Sequence, residues 1–109
     1  MQKKVYIAGK ITGDPNYREK FAKAEAELKA QGYLVMNPAI LPEGFEWEEY
    51  MDITVAMLRA CGTIVMLPGW RNSKGAKCEY VIARSADKKI LEFTQDYKLK
   101  KGVKSTKQK

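Results

Sequence analysis

Four short apolar runs punctuate the chain: Lys4-Val5-Tyr6-Ile7-Ala8, Tyr33-Leu34-Val35-Met36, Thr63-Ile64-Val65-Met66-Leu67 and Ile90-Leu91-Glu92-Phe93. Each is brief and rich in aliphatic and aromatic residues, the signature of a buried strand. Between them lie stretches of helical period. Asp14-Pro15-Asn16 opens the first, with Asp14 as its cap and Pro15 in its first turn. Tyr17, Phe21, Ala24 and Leu28 then form one stripe, and Gly32 ends it. The breaker-rich loop Asn37 to Gly44 leads to a second helix from Glu46 to Ala60. Trp47, Tyr50, Met51, Thr54 and Leu58 share a face there, which Val55 and Met57 widen, and Trp47 and Tyr50 read as packing residues. Gly62 closes that helix, and a third runs from Lys74 to Ala86 with Ala76, Tyr80 and Ala83 on one side. Strands alternating with helices require right-handed crossovers and a parallel sheet. The expected fold is a small three-layer α/β structure, flavodoxin-like or Rossmann-like, with about four to five strands and helices on both faces.

The chain has 109 residues, which bounds it to one small domain. Its net charge of +7 comes from 20 basic and 13 acidic residues. Six of the lysines fall from Lys98 onward, with no acid among them, so residues 1–97 carry 14 basic against 13 acidic groups. The reading is a nearly neutral domain over 1–97 and a Lys-rich, disordered, solubilising tail over 98–109. This charge distribution argues against nucleic acid as a partner. No apolar run approaches the roughly 20 residues of a membrane span. The start MQKKVYIAGK has no signal-peptide core, so a cytoplasmic chain is expected. Cys61 and Cys78 read as small buried hydrophobes rather than a disulfide framework. The chain contains no His, which excludes a His-based triad and a His-ligated zinc site. The small core makes oligomerisation plausible.

The stretch Met66 to Tyr80, MLPGWRNSKGAKCEY, carries most of the functional signal. Pro68 and Gly69 break the third strand, and Ser73-Lys74-Gly75-Ala76 begins the third helix. A strand's carboxyl end, a Gly-bearing loop and a helix start are where open α/β sheets bind ligands. Ser73 suits a helix cap and equally a phosphate or sugar oxygen, and Gly75 clears space against the backbone. Glu79 lies near the helix start, where the dipole favours a stably ionised carboxylate fit for a nucleophile or oxocarbenium stabiliser. In such a sheet the loop Gly9-Lys10-Ile11-Thr12-Gly13 opens at the same edge. Its glycines let backbone amides approach an anion, although it matches neither a Walker motif nor GxGxxG. Trp70 and Tyr6 are aromatics able to stack on a base or hold the carboxylate.

VYIAGKITG at the first strand, TIVMLPGW at the third and SKGAKCE at the third helix resemble the nucleoside 2-deoxyribosyltransferase-like superfamily, more closely its small bacterial and phage branch. The resemblance covers Val5 to Phe93, and S-x-G-x-x-x-E is its most specific part. It implies cleavage or transfer at the N-glycosidic bond of 2-deoxynucleosides or their 5′-monophosphates, through a covalent intermediate on a Glu. By the same resemblance Glu79 is the nucleophile and Tyr6 orients it. Ser73 contacts a 5′-phosphate, and Gly9, Lys10, Ile11, Thr12 and Gly13 form a phosphate or sugar loop. The family's second-helix Asp, which handles the departing base or sugar, maps to Asp52, the only Asp on that helix, although ungapped alignment places it nearer Thr54. Gly62 stands where relatives carry an acid before the third strand.

The resemblance implies no metal and no organic cofactor, a nucleoside or nucleotide substrate, and a homodimer or larger homo-oligomer that completes the pocket. The residues leave other readings open. They are a nucleotide-binding sensor without turnover, an enzyme acting on another N-ribosyl compound such as NAD, and a nucleic-acid accessory working through its tail.

Overall fold

The computed structural model describes residues 3–102. Five strands form one sheet: β1 (Lys4–Ala8), β2 (Leu34–Met36), β3 (Thr63–Met66), β4 (Lys89–Phe93) and β5 (Leu99–Lys101). Three helices connect the first four: α1 (Tyr17–Ala30), α2 (Trp47–Arg59) and α3 (Lys74–Ser85). The strand order is β2-β1-β3-β4-β5. The first four strands are parallel and β5 runs antiparallel to β4. The sheet, strand alternation and two-sided helix layers agree with the flavodoxin-like expectation.

The alternation of side chains along the strands divides the core. Val5, Ile7, Val65, Leu91 and Phe93 point to α1, where they meet Phe21, Ala24 and Leu28. Tyr6, Ala8, Ile64, Met66 and Ile90 point to the other face, against Leu58 of α2 and Ala76 and Ala83 of α3. Chain order reverses between β1 and β3: β1 leads through α1 to β2 on one side, and β3 leads through α3 to β4 on the other. That reversal parts the loops after β1 and β3 at the carboxyl edge of the sheet, leaving a crevice there.

Two local expectations are corrected. Asp14 does not cap α1, which begins at Tyr17 with Asn16 as an N-cap that makes no side-chain bond. Instead Asp14 folds an Asx turn one step earlier: its Oδ1 accepts from the Asn16 amide at 2.9 Å and its Oδ2 from Lys20 Nζ at 2.9 Å. Asp14 is spent on the turn, and Pro15 stays outside the helix.

The second correction falls on the Lys-rich segment. Residues 98–101 are not a disordered tail, because Leu99–Lys101 add a strand to the sheet edge. A tight turn with Tyr97 at φ 58° reverses the chain. Leu99 packs on the α1-side core, while Lys100 and Lys101 stay exposed. Charge on an edge strand discourages further strand pairing, so lysines are compatible with this position. Gly102 ends the strand where a Cβ would lie 2.3 Å from Ile90 Cγ2, a distance no other residue tolerates without movement. Residues 103–109, the rest of the expected tail, lie outside the described residues. Among the described residues no helix is long and apolar enough to cross a membrane.

Candidate active site

A cleft of about 670 Å³ opens at the carboxyl edge of the sheet. The loop after β1, the loop after β2, the first half of α2 and the start of α3 enclose it. At its floor Tyr6 from β1 meets Glu79 from α3. Tyr6 Oη donates to Glu79 Oε2 at 2.8 Å, and the two side chains are 1% and 5% exposed. Residues 73 positions apart are thus brought into one buried pair by the pleat of β1 and the second turn of α3.

Burial dominates the electrostatics of the pair. It raises the Glu79 carboxyl from its ordinary 4.5 to about 7, against the opposing influence of Thr54 and Tyr6. This corrects the expectation of a carboxylate held ionised by the helix dipole. Glu79 is the sixth residue of α3, beyond the first turn where the dipole acts, and desolvation outweighs it. The Tyr6 phenol is pushed well above its usual value, first by burial and then by the neighbouring Glu79 charge. Thr54 is the α2 side chain beside the pair. Its Oγ1 is buried and makes no hydrogen bond of good geometry among the described residues, yet it lies close enough to favour the ionised form of Glu79.

Several residues singled out from the sequence line the cleft together: Tyr6, Gly9, Ile11, Thr12, Gly13, Ser73, Gly75 and Glu79. Ser73 is the N-cap of α3, its Oγ accepting from the Ala76 amide at 3.1 Å, and its side chain also borders the cleft. Gly9 has a packing reason beside any functional one. A Cβ there would stand 2.9 Å from Leu67 Cδ1, so β1 passes the end of β3 only without a side chain. Gly75 is not sterically required, since a Cβ would make ordinary contact with Met51 and Trp47.

Three expected site residues fall elsewhere. Asp52 is exposed on α2 and does not line the cleft, because Met51 and Thr54 hold the inward face of that helix. Trp70 is 5% exposed and packs within the α2/α3-side core. Its Nε1 donates to Glu92 Oε2 at 2.9 Å, and its ring lies 4.8 Å from that of Tyr80. The short turn Trp70–Asn72 carries that ring over β4 rather than toward the cleft. Lys10 is also absent from the lining. Its stem approaches Gly13, and its charge acts on Asp14.

Conversely, Trp47 and Tyr50, read as packing, line the cleft together with Tyr17, Met51 and Glu43. Trp47 is 36% exposed, with Lys74 Nζ 4.3 Å from its ring centroid. The stripe on α2 was legible, but its position along the sheet was not. Thr54 and Leu58 lie over the strands, whereas Met51 and Trp47, about one and two turns before Thr54, reach the cleft at the carboxyl edge.

The fold and the site define a small doubly wound α/β protein with a buried carboxylate at its topological switch point. The chain belongs to the family described as a domain of unknown function, DUF4406, whose model matches residues 3–92. That span contains every cleft residue and stops before β5. No curated protein matches the chain.

Proposed function

We propose that the protein cleaves or exchanges the N-glycosidic bond of nucleosides or nucleotides, with Glu79 as nucleophile. The observation that carries this reading is the Tyr6–Glu79 pair: a buried carboxylate, oriented by a phenol, at the floor of a cleft large enough for a nucleotide. The resemblance to nucleoside 2-deoxyribosyltransferase-like proteins points the same way, toward 2-deoxynucleosides and their 5′-monophosphates. Ionised Glu79 attacks C1′ through an oxocarbenium-like transition state while the C1′–N bond breaks; the base leaves with the electron pair and takes up a proton, and a glycosyl-enzyme remains. Water or a second base then attacks C1′ from the face the first base left, opposite Glu79, and the Glu79–C1′ bond breaks, giving net retention. Tyr6 holds one carboxylate oxygen and leaves the other for attack. Ser73, Gly75 and the Gly9 to Gly13 loop border the sugar or phosphate end.

Assembly into a homodimer or larger homo-oligomer is part of the proposal, as is a cytoplasmic location. Ile40 and Phe45, 72% and 47% exposed, interleave with residues that line the cleft and give a second copy an apolar surface beside its mouth. Light scattering after size exclusion tests this.

The decisive experiment is chromatographic detection of free base from a panel of deoxynucleosides, their 5′-monophosphates and NAD. Release by the wild type and none by Glu79→Ala supports the reading; equal release by both overturns it. One observation favours a second reading. No acid on α2 faces Glu79, as Asp52 points away, and a nucleotide sensor needs none. Ligand binding by thermal shift without Glu79-dependent product would select the sensor.

A further inference from the structure

Acids gather at the start of α2 and bases at the start of α3. Glu46, Glu48, Glu49 and Asp52 are exposed, and residues 43–58 hold no Lys or Arg. The helix dipole accounts for acids at that place. It does not account for Lys74 and Lys77, the first and fourth residues of α3, whose first turn holds no acid. Positive charge at a helix N-terminus is locally unfavourable, so these lysines need anions from another element. Neither lines the cleft. On α2, Glu46 and Glu49 are engaged in the capping box, which leaves Glu48 and Asp52.

The two helices lie side by side on one face of the sheet, and their first turns are level. A Cβ on Gly75 would stand 3.5 Å from Met51 Sδ and 3.7 Å from Trp47 Nε1, and Lys74 Nζ rests 4.3 Å from the Trp47 ring centroid. Even so, no ion pair joins α2 to α3 among the described residues. Glu48 and Asp52 are one turn apart on the outer side of α2, away from buried Thr54 and Leu58. Lys74, Lys77 and Val81 are on the outer side of α3, away from buried Ala76, Glu79 and Ala83. Val81 is 59% exposed, and Ala56, one turn beyond Asp52, is exposed and small.

We propose that the outer side of α2 and α3 is the interface with a second copy of the chain, related by a two-fold axis that runs along and between the two helices. This rests on the assembly inferred above and fixes its geometry. The axis lays α2 of one copy over α3 of the other, parallel and level. Glu48 and Asp52, about 6 Å apart along α2, then meet Lys74 and Lys77 of the second copy, about 4.5 Å apart along α3, and the symmetry repeats the set. Val81 lies six residues beyond Gly75 and Ala56 five beyond Met51, so Val81 packs over Ala56 of the second copy. An axis across the helices would instead set α2 against α2, acid on acid, which like-charge repulsion disfavours. Lys74 rests on Trp47, which lines the cleft, so the interface borders the ligand site.

The test reverses charges, because one exposed ion pair contributes little whereas like charges brought together at an interface cost far more. The mass of the full chain is read by light scattering after size exclusion, a readout independent of turnover. The wild type is expected to be a dimer, and neutralising a single charge, as in Asp52→Asn, leaves it so. Glu48→Lys with Asp52→Lys, or Lys74→Glu with Lys77→Glu, is expected to weaken the dimer at least about 100-fold. An equimolar mixture of the two reversed variants, and a chain carrying all four reversals, should recover the dimer mass. A dimer unaffected by either reversal overturns this interface and leaves assembly through Ile40 and Phe45 standing. Dissociation of both variants without recovery in the mixture overturns the pairing of α2 with α3. A monomeric wild type overturns both the interface and the assembly.

Discussion

Glu79 and Glu92 share the same face of the sheet and nearly the same burial, 5% and 8% exposed. Each accepts a hydrogen bond from an aromatic donor, Tyr6 Oη at 2.8 Å in one case and Trp70 Nε1 at 2.9 Å in the other. Their surroundings differ in two ways. Glu92 lies under Trp70 with the Arg71 guanidinium 3.5 Å away, so a cation offsets its charge. Glu79 has no ion-pair partner within the described residues and borders the cleft. A buried carboxylate with a cation beside it ties a loop to a strand. A buried carboxylate without one, opening on a cleft, keeps its charge available for a ligand. Burial alone would not have told them apart.

The largest effect that can break this contrast is on turnover. Glu79→Gln is expected to lower base release by at least ~10³-fold, while Glu92→Gln leaves it within about twofold. Comparable losses from both variants would mean that the two carboxylates matter only for folding.

A second contrast is in pH. Activity should follow ionised Glu79, half-maximal near pH 7 and falling about tenfold per unit well below it. Stability runs the other way. The carboxyl is raised from 4.5 to about 7, so its stabilising contribution is complete below pH 4.5 and is lost as pH rises through 7. Relative to Glu79→Gln, the wild type should lose up to about 3 kcal/mol between pH 4 and pH 9, read by urea unfolding. A difference that stays flat with pH would place the titration elsewhere.

Removing the donors sharpens the comparison further. Tyr6→Phe deletes a hydrogen bond that favours the ionised form, so the acid limb should move upward and kcat/KM should fall roughly 10- to 50-fold. Trp70→Phe should instead cost about 1 to 3 kcal/mol of stability, because Glu92 Oε1 is already without a partner and Oε2 then loses its indole donor, while activity per folded molecule is unchanged. The smallest effect belongs to Asp52→Asn. An exposed residue outside the cleft should alter stability by less than about 0.5 kcal/mol and leave turnover intact. A large loss of turnover there would restore Asp52 to the site.

Where the sequence was informative, a local signal and the tertiary outcome coincided. Tyr6 and Glu79 were identifiable because the switch point of a parallel sheet fixes where β1 and the start of α3 must meet. Trp70 misled because its loop shares that edge, and only the direction of the turn Trp70–Asn72 sends the ring over β4. Trp47 misled in the opposite sense, since its helical spacing shows a face but not how far the helix overhangs the strands.

The sequence by itself determined the four parallel strands, the three helices and the candidate nucleophile. Strand periodicity, helix periodicity and the Ser73 cap are local properties of the chain. Only the tertiary structure decided that Glu79 is raised to about 7 rather than held ionised, that Thr54 and not Asp52 faces it, and that Leu99–Lys101 close the sheet edge. Each of these depends on how deeply an element is buried and against what, and desolvation and packing arise between segments far apart in the chain.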